Sequence, residues 1–158
     1  MLDEGTGPAV LRREPMQLLI ATAMVAATVL IHLAGLSILV AVMRKRSTGR
    51  TRSAAMVHQG VAIMTAAFGL FALHTVEIWA YAGLYLLLGA LPDFEQALYF
   101  STSTYVTLGY GDIVLPVQWR ILGAIEGANG ILLLGWSTAF FVSIINRIRL
   151  MEGGAADS

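Results

Sequence analysis

The sequence predicts an all-α membrane protein, and two observations support this prediction. Apolar residues make up 57 % of the chain and charged residues only 13 %, whereas soluble domains carry roughly 25 % charged residues. The apolar residues also fall into three long blocks, and a bilayer core of about 30 Å needs about 20 apolar residues per helix. We therefore expect three transmembrane helices.

The three blocks are residues 16–43, 54–91 and 121–145. The first block follows a mixed-charge segment and is too long for the apolar part of a cleavable signal sequence, so we expect it to remain as a membrane span. The ionisable residues inside the blocks are three histidines and two glutamates: His32, His58, His74, Glu77 and Glu126.

Basic residues predict which ends of the spans face the cytoplasm. The loop between the first two blocks contains Arg44, Lys45, Arg46, Arg50 and Arg52, and Arg147 and Arg149 follow the third block. By the positive-inside rule both segments are cytoplasmic. We therefore expect a protein of the cell membrane with its N-terminus outside the cell and its C-terminus in the cytoplasm. The basic loop could also contact anionic lipid headgroups, although we favour a role in topology alone.

This topology divides the chain into five parts. They are an extracytoplasmic segment (1–15), an extra transmembrane helix (16–43), a basic loop (44–55), a domain with the other two spans (56–149) and a short cytoplasmic tail (150–158). The tail is too short for a regulatory domain. Because no span carries arginine at every third position, we expect no voltage sensor.

The segment between the second and third spans begins like a helix. Asp93 is a favourable N-cap residue, and Gln96 three residues later completes a capping box, which predicts a short helix over residues 94–105. The following run, Thr107 to Asp112, is poor helix material with two glycines spaced by one residue. Irregular backbone at membrane depth is tolerated only inside protein or beside water. A short re-entrant helix and a pore-lining loop satisfy that condition.

The run from Ser103 to Asp112, S-T-Y-V-T-L-G-Y-G-D, resembles the pore signature of potassium channels, T-x-T-T-V-G-Y-G-D. The resemblance continues through Gly130 and Gly135, which are similar to the inner helix of simple bacterial two-span channels and its hinge glycine. It covers roughly residues 57–149 and leaves the first span outside. It implies an outer helix, a pore helix (94–105), a selectivity filter (107–112) and an inner helix (119–147).

The resemblance also implies roles for individual residues. The filter would bind K⁺ through the backbone of Thr107, Leu108, Gly109, Tyr110 and Gly111, with the Thr107 hydroxyl as a further ligand and Asp112 at the outer mouth. The residues implied as filter supports are Tyr99, Phe100, Ser103 and Thr104. The residues implied as cavity lining share one helix face and are Ile131, Leu134, Thr138 and Val142.

Physical chemistry agrees with these roles. A dehydrated potassium ion needs oxygen ligands in place of its water shell. Carbonyls that all point one way require left-handed dihedrals at alternate positions, and glycine adopts these at little steric cost. Each chain has one such segment, so a ring of ligands requires a homotetramer.

Some residues depart from the family pattern. Leu108 replaces a valine and Val106 replaces a threonine. Tyr99 and Phe100 stand where many relatives carry two tryptophans, and we expect them to pack around Tyr110. Ser103 occupies a position where some relatives have a buried glutamate. We expect these changes to affect the rigidity of the filter more than its choice of ion.

The ionisable residues of the second and third spans allow two interpretations. His74 and Glu77 share a helix face, and we place them at the same depth as Glu126, in the outer half of the membrane. The three could form one proton-sensing cluster that changes the open probability. Alternatively, His74 and Glu77 pair locally while Glu126 accepts hydrogen bonds from the short helix as a brace, which we favour. For His32 we expect a packing role.

The predicted function is passive conduction of potassium ions. The alternatives are a less selective Na⁺/K⁺ channel and a non-conducting membrane scaffold whose loop binds a partner. We find no metal-ligand spacing and no nucleophile–base pattern, so we expect neither an enzyme nor a cofactor besides the permeant K⁺. The net charge is zero and cysteine is absent, which argues against a nucleic-acid partner and excludes disulfides and cysteine metal sites.

Overall fold

The computed structural model describes residues 13–45 and 52–156. Within these residues the backbone forms α-helices joined by turns, with no strand. The long helices are α1 (Arg13–Lys45), α2 (Arg52–Leu87) and α4 (Arg120–Ala156). Between α2 and α4 lie the short helix α3 (Phe94–Tyr105) and a 3-10 turn (Val117–Trp119).

Three of the helices are long and apolar enough to cross a membrane. The candidate spans are Pro15–Arg44, Gln59–Leu87 and Val117–Asn146, of 30, 29 and 30 residues. At 1.5 Å per residue each reaches beyond a hydrocarbon core of about 30 Å. The prediction of three spans in an all-α membrane protein is therefore confirmed.

The structure adjusts the predicted boundaries outside the spans. The third long helix continues to Ala156, so most of the predicted tail is helical. The predicted basic loop is partly helical, because α1 ends at Lys45 and α2 begins at Arg52. Arg46, Arg50 and the N-terminal residues 1–12 lie outside the described residues, and the predicted lipid contact of the basic residues stays a prediction.

Helix α3 has the predicted bounds, and its start is fixed by a side chain. Asp93 has an extended backbone, and its carboxylate accepts a hydrogen bond from the Gln96 backbone N–H at 2.9 Å. The Gln96 side-chain amide donates to the second Asp93 oxygen at 3.1 Å. The cap satisfies a backbone N–H that the first turn of a helix otherwise leaves without a partner.

Helix α1 packs against the domain through one stripe of side chains, so it is part of the same fold. The buried residues of α1 recur every four or seven positions and thus share one face: Gln17, Ala21, Thr28, His32 and Leu39. This face contacts α2 and α4. Such a stripe is the pattern by which helices pack in a bilayer, where van der Waals contact and hydrogen bonds hold them together.

The helix α3 lies between α2 and α4, and the closest contact involves Gly130. A Cβ atom built on Gly130 would lie 2.3 Å from the carbonyl oxygen of Tyr105, so the two backbones touch at the C-terminal end of α3. A Cβ on Gly135 would meet nothing within 4 Å. Gly130 therefore has a packing role. The predicted hinge at Gly130 and Gly135 stays a prediction, since α4 runs unbroken through both.

We predict that Gly130→Ala lowers the stability of the protein and that Gly135→Ala does not. The new methyl group at position 130 meets backbone that cannot turn away, and overpacking of this kind costs about 1–3 kcal/mol. Unfolding of both variants in detergent, followed by circular dichroism, measures the effect. Equal stability of the two variants would contradict the close approach of α4 to α3.

Candidate functional site

The segment after α3 has an alternating backbone. The residues with positive φ are Thr107 (61°), Gly109 (54°) and Gly111 (78°), which are alternate positions, as the sequence predicts. Among the described residues, Thr107 is the one non-glycine residue in this conformation. A left-handed conformation costs an L-residue roughly 1–2 kcal/mol. The surrounding hydrogen bonds must therefore hold Thr107 in place.

Those hydrogen bonds run from the segment back to the end of α3. The backbone N–H of Thr107 donates to the Thr104 carbonyl at 3.0 Å, and those of Leu108 and Gly109 donate to the Ser103 carbonyl at 2.8 and 3.0 Å. No described peptide bond is cis, and in a trans peptide the C=O points opposite to the N–H. The carbonyls of Thr107 and Leu108 therefore point away from α3.

The side of the segment that faces away from α3 is uncovered in a single chain. Residues 107–112 are all exposed, and Leu108 and Tyr110 are 57 % and 68 % exposed. Free backbone carbonyls at membrane depth are tolerated only where protein or water meets them. The segment therefore requires a partner surface, an aqueous pathway or both.

The C-terminal end of the segment is held by Tyr99. Its hydroxyl donates to one Asp112 oxygen at 2.8 Å, and the backbone N–H of Ile113 donates to the other at 3.1 Å. The hydrogen bond from Tyr99 lowers the pKa of Asp112, and the same bond raises the pKa of Tyr99. Asp112 thus stays ionised to lower pH than an ordinary aspartate.

The other residues predicted to support the segment make different kinds of contact. Ser103 and Thr104 hold it through their backbone carbonyls, and the Ser103 hydroxyl itself donates to the Phe100 carbonyl at 3.0 Å. Phe100 packs edge-on against Tyr85 of α2, with ring centroids 5.3 Å apart. Its ring is thus turned toward α2, which differs from the expected packing around Tyr110.

Glu126 braces α3 from behind. Its carboxylate is fully buried and accepts hydrogen bonds from Tyr85 of α2 and Ser101 of α3, each at 2.5 Å. The Ser101 hydroxyl also lies 3.0 Å from the carbonyl of Ile78. The interaction joins α2, α3 and α4 and includes the hydrogen bond to α3 that the brace interpretation requires. The role of Glu126 as a brace stays a prediction.

A second polar cluster lies deeper, around Glu77. One Glu77 oxygen lies 2.8 Å from His32 Nδ1, and the other lies 3.0 Å from His74 Nδ1. The Tyr105 hydroxyl also donates to Glu77. On the far side, Ser137 Oγ lies 2.9 Å from His74 Nε2 and 3.5 Å from His32 Nε2. We call these five side chains the histidine cluster.

The prediction of one cluster at one depth is therefore wrong. Glu126 is level with Tyr85, whereas Glu77 lies eight residues earlier on α2, about 12 Å along the helix axis. The sequence could not predict this difference in depth, because apolar composition does not define where α2 leaves the membrane. The described residues show no hydrogen bond between Glu126 and the histidine cluster.

The sequence did not predict the hydrogen-bond partner of His32. The prediction of a packing residue is right in that His32 is buried, but its partner Glu77 is far away along the chain. The missed signal was the stripe on α1, because Thr28 and His32 share its buried face. Thr28 likewise accepts a hydrogen bond from Asn129 of α4 at 2.7 Å.

The residues predicted to line a cavity are on α4. Ile131, Thr138 and Val142 are exposed in one chain, and Leu134 is half-buried. Their exposure leaves this face of α4 open to a neighbouring subunit, water or lipid. Their role stays a prediction.

Comparison with known proteins identifies the class. The family model described as "Ion channel" matches residues 61–147, which is more than half of the chain. The chain therefore belongs to this ion-channel family, and it is a multi-pass membrane protein. The matched region contains α3, the alternating segment and most of α2 and α4, and it excludes α1. Comparisons with curated proteins and with solved structures gave no match.

We predict that Tyr99→Phe raises the pKa of Asp112 toward its ordinary value, since the variant lacks the hydroxyl that stabilises the carboxylate. Carbon-13 NMR of protein labelled at aspartate carboxyls measures this pKa. Tyr110→Phe is the control, because the Tyr110 hydroxyl makes no hydrogen bond to Asp112 in the structure. An unchanged titration in Tyr99→Phe would show that the contact does not form in the membrane.

Proposed function

We propose that the chain is one subunit of a homotetrameric channel that conducts K⁺ selectively and passively. The observation that carries the proposal is the backbone of segment 107–111. It has positive φ at alternate residues, and the N–H groups of Thr107, Leu108 and Gly109 are bonded back to α3. This backbone turns carbonyl oxygens outward in succession, the ligand type that replaces the water shell of K⁺ in channels of this kind.

The tetramer follows from the number of oxygens that one chain can supply. Each chain offers one carbonyl per level, and the ion needs a ring of them at each level, so copies must surround a common axis. Association of four chains would also cover Leu108 and Tyr110, which are exposed in a single chain. In the proposed pore, K⁺ binds at Thr107, Leu108, Gly109 and Tyr110.

The proposed orientation places Asp112 at the outer mouth and the basic segment between α1 and α2 in the cytoplasm. This assignment rests on the positive-inside rule. We place the channel in the cell membrane and assign it transport without a catalysed reaction. Arg44 and Lys45 end α1, where contact with anionic headgroups would be favourable.

The contacts that hold the segment in place favour a narrow, selective pore over a wide, unselective one. The buried Glu126 ties Ser101 of α3 to Tyr85 of α2, and Tyr99 holds Asp112 at the outer end. These contacts occupy the place of the tryptophan pair that the sequence lacks. A filter braced in this way keeps its oxygens at the spacing that K⁺ requires.

The test is ion flux in liposomes that contain the purified protein. We expect flux down a K⁺ gradient and little flux down a Na⁺ gradient of equal size. Comparable fluxes of the two ions would indicate the less selective cation channel. An absence of flux from correctly assembled protein would favour the non-conducting scaffold.

We predict that Gly109→Ala lowers the ratio of K⁺ to Na⁺ flux by about tenfold or more, since strain of about 1–2 kcal/mol corresponds to roughly one order of magnitude in an equilibrium. Gly89→Ala is the matched control. Gly89 also has positive φ and open space around its Cβ position, but it lies in the turn after α2. A selective Gly109→Ala channel, or an equal loss in Gly89→Ala, would contradict the proposed filter.

A further inference from the structure

We propose that each subunit contains a binding site for a divalent transition-metal ion of the zinc type, formed by His32, His74 and Glu77 with Tyr105 as the fourth donor. The site would join α1, which lies outside the family match, to α2 and to the C-terminal end of α3. The inference does not depend on conduction or on which ion the channel carries.

The donor atoms are already close together. One ligand atom from each of His32, His74 and Glu77 lies within 4.8 Å of the others. The Tyr105 oxygen lies 3.0 Å from His74 Nδ1 and also contacts Glu77. In a tetrahedral zinc site with bonds of about 2.0–2.2 Å, neighbouring ligand atoms are about 3.3 Å apart. The observed contacts of 2.8–3.0 Å involve both Glu77 oxygens, so the side chains must shift slightly to surround one ion.

Hydrogen bonding favours an ion at this position. Without one, and with hydrogens on both Nδ1 atoms, His32, His74 and the Tyr105 hydroxyl all donate to the single carboxylate of Glu77. Both Nε2 atoms must then accept from Ser137, whose hydroxyl has one hydrogen, and one imidazole nitrogen is left without a donor. With the His74 hydrogen on Nε2 instead, His74 Nδ1 faces a Glu77 oxygen 3.0 Å away, and these two acceptors share the single hydrogen of Tyr105.

A metal ion removes this conflict. With the ion bound at both Nδ1 atoms, both Nε2 atoms carry hydrogen and donate to the two lone pairs of Ser137 Oγ. Donation from a metal-bound imidazole to an outer oxygen is the usual way in which proteins orient such ligands. All four imidazole nitrogens of the histidine cluster then have a partner.

The charge of the histidine cluster and its access to solvent are also consistent with a divalent cation. The Glu77 side chain is 0 % exposed within a membrane span, where an uncompensated charge is costly. Binding of the ion at Tyr105 would release the hydroxyl proton to water. The divalent ion, the Glu77 carboxylate and the Tyr105 phenolate would then carry no net charge together. The His74 side chain is 12 % exposed, so the cluster is not completely closed.

The rival explanation is one extra proton. Protonation of His32 or His74 would also balance Glu77 and complete the hydrogen bonds to Ser137. A carboxylate can accept three hydrogens, so the two explanations are distinguished by whether the folded protein binds a metal ion. The other buried carboxylate, Glu126, is bonded to Ser101 and Tyr85 and does not face the cluster.

Zinc binding by the purified full-length protein tests the proposal. After treatment with a chelator, the protein in detergent is equilibrated with Zn²⁺, and bound metal is measured by elemental mass spectrometry. We expect about one zinc ion per chain and a higher unfolding temperature, because an ion that binds the folded state stabilises it. No tight binding by the wild-type protein would overturn the proposal in favour of the proton.

Substitutions of the proposed ligands test where the ion binds. His32→Ala and Glu77→Gln should weaken binding at least about 100-fold, and Ser137→Ala, which removes an outer partner, about 10–100-fold. Two matched controls should bind zinc like the wild type: His58→Ala, the remaining histidine, and Glu126→Gln, the other buried carboxylate. Normal binding by His32→Ala, or loss of binding in His58→Ala, would place the ion elsewhere and contradict the site.

A measurement on the wild type keeps the test valid if the variants do not fold. X-ray absorption at the zinc edge of the loaded protein should show nitrogen and oxygen ligands at about 2.0–2.2 Å, with the scattering of two imidazole rings. Zinc that shows only oxygen or water ligands would be bound adventitiously, and the proposal would be wrong.

Discussion

In a bilayer every backbone N–H and C=O group must find a partner within the protein or in trapped water, and most of this structure satisfies that constraint with long helices. The segment 107–112 is the exception. The N–H groups of Thr107, Leu108 and Gly109 find partners at the end of α3. The outward carbonyls of Thr107 and Leu108 find none among the described residues. The proposed ion path and tetramer both follow from that imbalance, because a ring of chains around a file of cations supplies the missing partners.

The rest of the fold holds α3 at a fixed place. The Asp93 cap sets its start, the Glu126 brace fixes its middle, and the Gly130 contact fixes its end. The second and third constraints both come from α4, and the Glu126 brace also reaches α2 through Tyr85. A displacement of α2 or α4 would therefore be transmitted to the carbonyls that hold the segment. The histidine cluster adds α1 to this arrangement through Tyr105, two residues before Thr107.

Features set by local sequence could be predicted, and those set by packing could not. The bounds of α3 followed from Asp93 and Gln96, and the alternating dihedrals followed from the two glycines of the segment. The depth of Glu77 relative to Glu126 depends on where α2 emerges from the membrane, which composition does not define. The pairing of His32 with Glu77 joins helices far apart in sequence, and the packing of Gly130 on Tyr105 depends on a crossing that no local pattern encodes.

The central claim is that four copies of segment 107–111 surround one axis. A cryo-electron microscopy structure of the purified protein in K⁺ tests it most directly. We expect fourfold symmetry with ion density on the axis, level with the residues from Thr107 to Tyr110. A dimer or trimer, or a tetramer in which this segment lies away from the axis, would contradict the account.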